Sequence, residues 1–131
     1  MKRRDFVLGA LAAGVAVRTG EVRAKASQPA TRVNFAVPPG ACDCHTHIHG
    51  DPAKYPMFGG RTYTPEPALP EEMARLHKAL RMQRVVVVTP SIYGTDNTSS
   101  LYGMKARGAN ARGVAVIDHR TTESEDVLSV P

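Results

Sequence analysis

Along the chain, apolar runs alternate with polar punctuation, and their spacing predicts the elements. Residues 84–90, "RVVVVTP", are a β-branched run without polar alternation, the pattern of a strand covered on both faces, and "GVAVID", residues 113–118, repeats it. Between these two runs, "SIYGTDNTSS" turns the chain, and a helix is expected over roughly 97–107, capped by Asp96 or Asn97 but weakened by Gly103 and by few apolar positions. Ahead of them, Leu69, Met73, Leu76 and Leu80 recur at helical spacing. Pro70 stands at a tolerated first-turn position and Glu71 and Glu72 suit the positive N-terminus, so a helix of about three turns is expected there. A first strand is expected at about 41–48, followed by a Gly- and Pro-rich connection from Gly50 to Pro70, long enough to be a functional loop. The order strand, loop, helix, strand, loop, helix, strand is that of parallel crossovers.

The N-terminus follows another pattern. "MKRRDFVLGALAAGVAVRTGEVRAKA" passes from a basic tip through an apolar run, Phe6 to Val17, into a short polar segment ending Ala24-Lys25-Ala26. This is the layout of a secretory signal peptide, and Arg3-Arg4 before the apolar run resembles a twin-arginine signal. The run is 12 residues long, too short for a hydrocarbon core that takes roughly 20, so no stable membrane anchor is expected. The sequence therefore predicts cleavage after Ala26, passage through the export machinery and a periplasmic or exported location. Residues 27–40 read as an extended leader, closed by Pro38-Pro39-Gly40.

That segment also explains the charge. Of 17 Lys/Arg and 12 Asp/Glu, six and two lie in residues 1–26, which leaves a nearly neutral 11 against 10 in the body. A nucleic-acid partner is not expected.

The chemistry is concentrated in "ACDCHTHIHG", residues 41–50. Plain strand alternation places Asp43, His45, His47 and His49 on one face and Cys42, Cys44, Thr46 and Ile48 on the other. On one face, the rings of His45 and His47 can converge on a divalent ion such as zinc, or a neutral His can hydrogen-bond an oxyanion without metal; the sequence leaves both open. The cysteines are expected as reduced side chains packed toward the helices, since residues i and i+2 of a strand are poorly spaced for a disulfide. Arg61 and Tyr63, after the first strand, suit a carboxylated or phenolic substrate. Ser91, Tyr93 and Asn97 follow the second strand and share its exit, with Asn97 equally suited to capping the helix. His77 is expected partly exposed on the helix flank, and no role is assigned to it or to His119.

Four stretches, "CDCHTHIHG", "YPMFGGRTYTPEPA", "RVVVVTPSIYGTDN" and "ARGVAVID", resemble successive landmarks of the amidohydrolase superfamily. The nearest branch in character is the amidohydrolase-related hydrolases that include 2-pyrone-4,6-dicarboxylate lactonases. The resemblance spans roughly residues 40–118. It implies a (β/α)8 barrel, hydrolysis of an ester, lactone or amide of a small-molecule substrate, often a divalent metal, and His45 and His47 as catalytic or metal-binding groups. It also implies histidines on later strands and an Asp on the last, which these residues do not contain. The expected fold class is thus α/β, an incomplete TIM barrel of about three parallel strands and two helices, followed by an irregular tail at 119–131. A barrel of this kind takes about 250 residues, so this chain by itself is expected to be truncated and inactive. The other reading is a small periplasmic metal-binding module built on the Cys/His-rich strand.

Overall fold

In the computed structural model, which describes residues 26–120, three parallel strands carry the expected order. The expected signal peptide, apart from Ala26, and the tail beyond Arg120 lie outside the described residues. Strands β1 (Cys42–Thr46), β2 (Arg84–Val88) and β3 (Ala111–Val114) lie side by side in that order, connected by helices α1 (Pro70–Leu80) and α2 (Thr98–Arg107). The third strand is set earlier than its apolar run suggested. Ala111 pairs with Val85 and Val114 with Val88, and the Ala115–Asp118 part of the run continues as irregular chain.

The core lies between the sheet and its helices. Val85 and Val87 of β2 are buried against Ile48, Met73 of α1 and Ala111 of β3, with Tyr102 and Met104 of α2 packed around them. Among the described residues, only this face is closed. Val86 and Val88 are half-buried, and Val114, Val116 and Ile117 remain 50%, 37% and 46% exposed. The unalternated Val run therefore reflects one covered face and one open, apolar face, rather than two covered faces.

The buried stripe of α1 is centred on Pro70, Met73 and His77, while Leu76 and Leu80 are only half-buried. Pro70 opens the helix, and the buried Glu72 reaches back to accept the Leu69 N–H at 3.1 Å. Its other oxygen accepts the Ala26 N–H at 3.2 Å, which ties the irregular leader to the helix. Helix α2 keeps Gly103 in its interior for a reason: a Cβ there would collide with Ile48, so the glycine lets the exit of β1 pack against the helix backbone.

Candidate functional site

Between β1 and β2 the pairing carries one extra residue. Asp43 pairs with Val85 and Thr46 with Val87, so Cys44 and His45 together oppose Val86. This is a β-bulge, a device enriched beside active sites because it re-aims side chains. It overturns the plain alternation expected for this strand. Asp43 turns to the helix side, where its Oδ2 lies 3.0 Å from Nε2 of His77, and Ile48 is in the same core. His45 and His47 are placed together away from that core, with ring centroids 5.1 Å apart and planes at 88°. Cys44 is exposed and Cys42 half-buried, both as free thiols, so the expectation that they pack toward the helices is not met.

The orientation of His47 follows from one hydrogen bond. Its Nδ1 lies 2.8 Å from the carbonyl oxygen of Val88, at the exit of β2. A carbonyl can only accept, so Nδ1 holds the proton and Nε2 is left with its lone pair available. His49 stacks on His47 at 6.3 Å. Burial, and after it the neighbouring His47, hold the His49 imidazole below its ordinary 6.5. His49 also fixes the loop, since its backbone exchanges two hydrogen bonds with Ala68, at 3.1 and 2.8 Å.

The residues expected at the second strand exit mainly build the rim. Tyr93 is 3% exposed, and its hydroxyl accepts the Gly50 N–H at 2.9 Å. Ser99 of α2 shares that N–H and donates to the Ile48 carbonyl at 3.0 Å. Asn97 occupies the position before α2 without capping it through its side chain. Instead its Oδ1 accepts from Thr89 at 2.7 Å and from the Val116 N–H at 3.0 Å, while Nδ2 donates to the Val116 carbonyl at 2.9 Å. It is a clamp between the exits of β2 and β3. Ser91 is exposed at the start of the short 3-10 turn Ser91–Tyr93.

Arg61 and Tyr63 lie in the long loop, both exposed, and neither makes a hydrogen bond or ring contact with His45 or His47 among the described residues. Nε and Nη1 of Arg61 are engaged by Thr64 Oγ1 at 2.9 Å and the Phe58 carbonyl at 3.2 Å. The guanidinium borders a shallow depression of about 400 Å³ shared with Met57, Thr64 and Glu66. The loop is seated against the rim by the Phe58 N–H on the Ile92 carbonyl at 2.7 Å and by Tyr55 stacked on Tyr102 at 5.3 Å.

A catalytic zinc takes three protein ligands. His45 and His47 offer two imidazoles on one side of the strand, and among the described residues no group of three His, Cys, Asp or Glu side chains could hold a metal ion. The pair suits part of such a site. His77 is the group that periodicity missed. A signal was present, since it stands four residues after Met73 on the buried stripe, where an imidazole needs a polar partner.

Comparison with known proteins agrees with the fold. The family model described as amidohydrolase matches residues 42–127. The chain is 40% identical over 84 residues to a 4-sulfomuconolactone hydrolase of Hydrogenophaga intermedia, covering 62% of this chain and 28% of that protein. It is 33% identical over 95 residues to a 2-pyrone-4,6-dicarboxylate hydrolase of Comamonas testosteroni, covering 72% and 31%. Among solved structures, an apo Agrobacterium tumefaciens protein superposes with a TM-score of 0.65 at 29% identity, over 75% of this chain and 34% of the other. The chain spans less than a third of the length of these two curated relatives.

Proposed function

The chain belongs to the amidohydrolase family, and from that membership we propose that it supplies the first β/α units and the strand-one histidines of a hydrolase that opens an ester, lactone or amide of a small carboxylated substrate. One observation carries the reading: His47 has its tautomer fixed by Val88 and its free Nε2 beside His45 at the strand exits. Both relatives named above are lactone-type hydrolases, which favours the lactone within that class. They also disfavour the alternative of a self-contained metal module.

In the proposed reaction, water attacks the acyl carbon and gives its proton to His47 Nε2. The acyl C–O bond then breaks, and the same proton passes to the departing ring oxygen, leaving a hydroxy acid. His45, exposed beside it, would stabilise the charge on the acyl oxygen. In the alternative route with metal, His45 and His47 would instead hold a divalent ion such as zinc, with Nε2 of His47 as a ligand and not as the base, and the ion would lower the pKa of bound water and polarise the carbonyl. Nη2 of Arg61 makes no hydrogen bond among the described residues and would receive a substrate carboxylate, with Tyr63 and Ser91 as the other proposed contacts, while the side chain of Asn97 is fully engaged in its clamp.

The test is acid release from muconolactone-type and pyrone-type dicarboxylated lactones by the full-length protein that carries this chain. Turnover above the buffer rate is expected, and its absence on both would overturn the reading. Residues 27–131 alone are proposed to be inactive and self-associating, because the open face leaves Val114 and Ile117 about half exposed; a monomeric mass in sedimentation would contradict this. Export through the twin-arginine route is proposed from the first 26 residues. Arg3→Lys with Arg4→Lys is expected to retain the protein in the cytoplasm, and unchanged export would remove that part.

A further inference from the structure

His77 sits on α1 with 1% of its surface exposed, deep under the sheet, and it faces the strand that carries the candidate catalytic pair. Its Nε2 lies 3.0 Å from Oδ2 of Asp43, and the other carboxylate oxygen, Oδ1, accepts the backbone N–H of His45 at 3.2 Å. One carboxylate thus joins the helix to the bulge. Because a carboxylate accepts, Nε2 of His77 is the protonated nitrogen, and Nδ1 is buried without a partner among the described residues. An imidazole with one satisfied nitrogen is a poor choice for filling a core, where Leu or Met would pack at no polar cost. The polar group is explained if what it holds matters.

What it holds is the place where β1 leaves regular pairing. Cys44 and His45 oppose Val86 alone, so the β1–β2 ladder is locally interrupted at this point. The His45 N–H is directed at Asp43, two residues back, in an Asx-type turn. We propose that Asp43 and His77 are positioning residues, a helix-to-strand tether that fixes the bulge and thereby sets the separation of His45 and His47. This rests on the proposed role of His45 and His47 in hydrolysis. Neither Asp43 nor His77 touches substrate in this scheme. Their effect reaches the reacting atoms through the backbone of His45 and, two residues further, through the chain that delivers His47 to Val88.

The experiment compares His77→Leu with His77→Gln in the full-length protein. Gln places an amide nitrogen where Nε2 stands and can still donate to Asp43, whereas Leu fills the space and cannot. With Leu, kcat is expected to fall on the order of 10- to 100-fold, the range for groups that orient ligating or catalytic residues, while KM stays within about threefold. Deuterium uptake of the peptide covering residues 42–48 should quicken. With Gln, both properties should return most of the way to wild type. Asp43→Asn, which keeps an acceptor for the His45 N–H, should fall between them. A Leu variant with normal kcat, or Leu and Gln variants that lose activity equally, would overturn the tether. If the wild-type protein turns over no lactone, the hydrolase reading fails, and the exchange comparison alone decides the tether: uptake restored by Gln supports it, and uptake unchanged in Leu overturns it.

Discussion

The two seams of the sheet are built from similar strands and behave differently. Between β2 and β3 the register runs unbroken from Val85–Ala111 to Val88–Val114, and no candidate catalytic group lies along it. Between β1 and β2 the register slips by one residue, and the histidine pair sits at the slip. The regular seam shows what the ladder does when only packing is asked of it. In the irregular seam, the extra residue lets Asp43 and Ile48, an odd and an even position, both face the helices while the histidines stay together on the other side. Simple alternation cannot achieve that.

Four changes test the contrast. Ile48→Ala removes the 0% exposed side chain that packs on Gly103, and should lower stability by about 2–5 kcal/mol in denaturant unfolding. His47→Ala should reduce turnover on the order of 10²-fold, with the unfolding midpoint nearly unchanged, because His47 lies off the core. Gly113→Val on the regular seam forces a side chain against Met104 and should cost about 1–3 kcal/mol with turnover kept per folded molecule. Deleting Cys44 gives the irregular seam plain pairing while leaving Asp43, His45 and Ile48 on their present sides. It should cost turnover about tenfold, within the range for lost orienting contacts, with little change in melting temperature. If the deletion leaves turnover untouched, the bulge is only a structural accommodation.

The expectations that held are those in which a local pattern and its tertiary use coincide. The places of β2 and α1 and the parallel order were legible because β-branched runs and a helical stripe need only a core to face, although β2 is covered on one face and not two, and the α1 stripe runs through His77 and not Leu76 and Leu80. The family and the first three strands and two helices of its barrel were legible in four motifs. The faces of β1 were legible in part: His45, His47 and Ile48 keep their expected sides, whereas Asp43 changes its side, because a bulge has no mark in "CDCHTH" and one inserted residue reverses the assignments on one side of it relative to the other. β3 was misplaced because apolarity continues past the paired residues into Val116 and Ile117, which meet no partner strand among the described residues. Asn97 does not cap α2 through its side chain. Its clamp on Val116 joins positions 19 residues apart, which no local window displays.

The long connection after β1 begins and ends on adjacent backbone. His49 and Ala68 exchange both of their main-chain hydrogen bonds, and Gly50 is held by Tyr93 and Ser99 where a Cβ would strike Tyr55. Such a closed stem turns the residues between into a replaceable cassette. Doubling the length of a flexible loop whose ends are already joined adds only about 0.6 kcal/mol of closure entropy. The segment bearing Arg61 and Tyr63 is thus free to diverge in length and composition, or to be grafted from one protein to another, without disturbing the strand that holds the histidines.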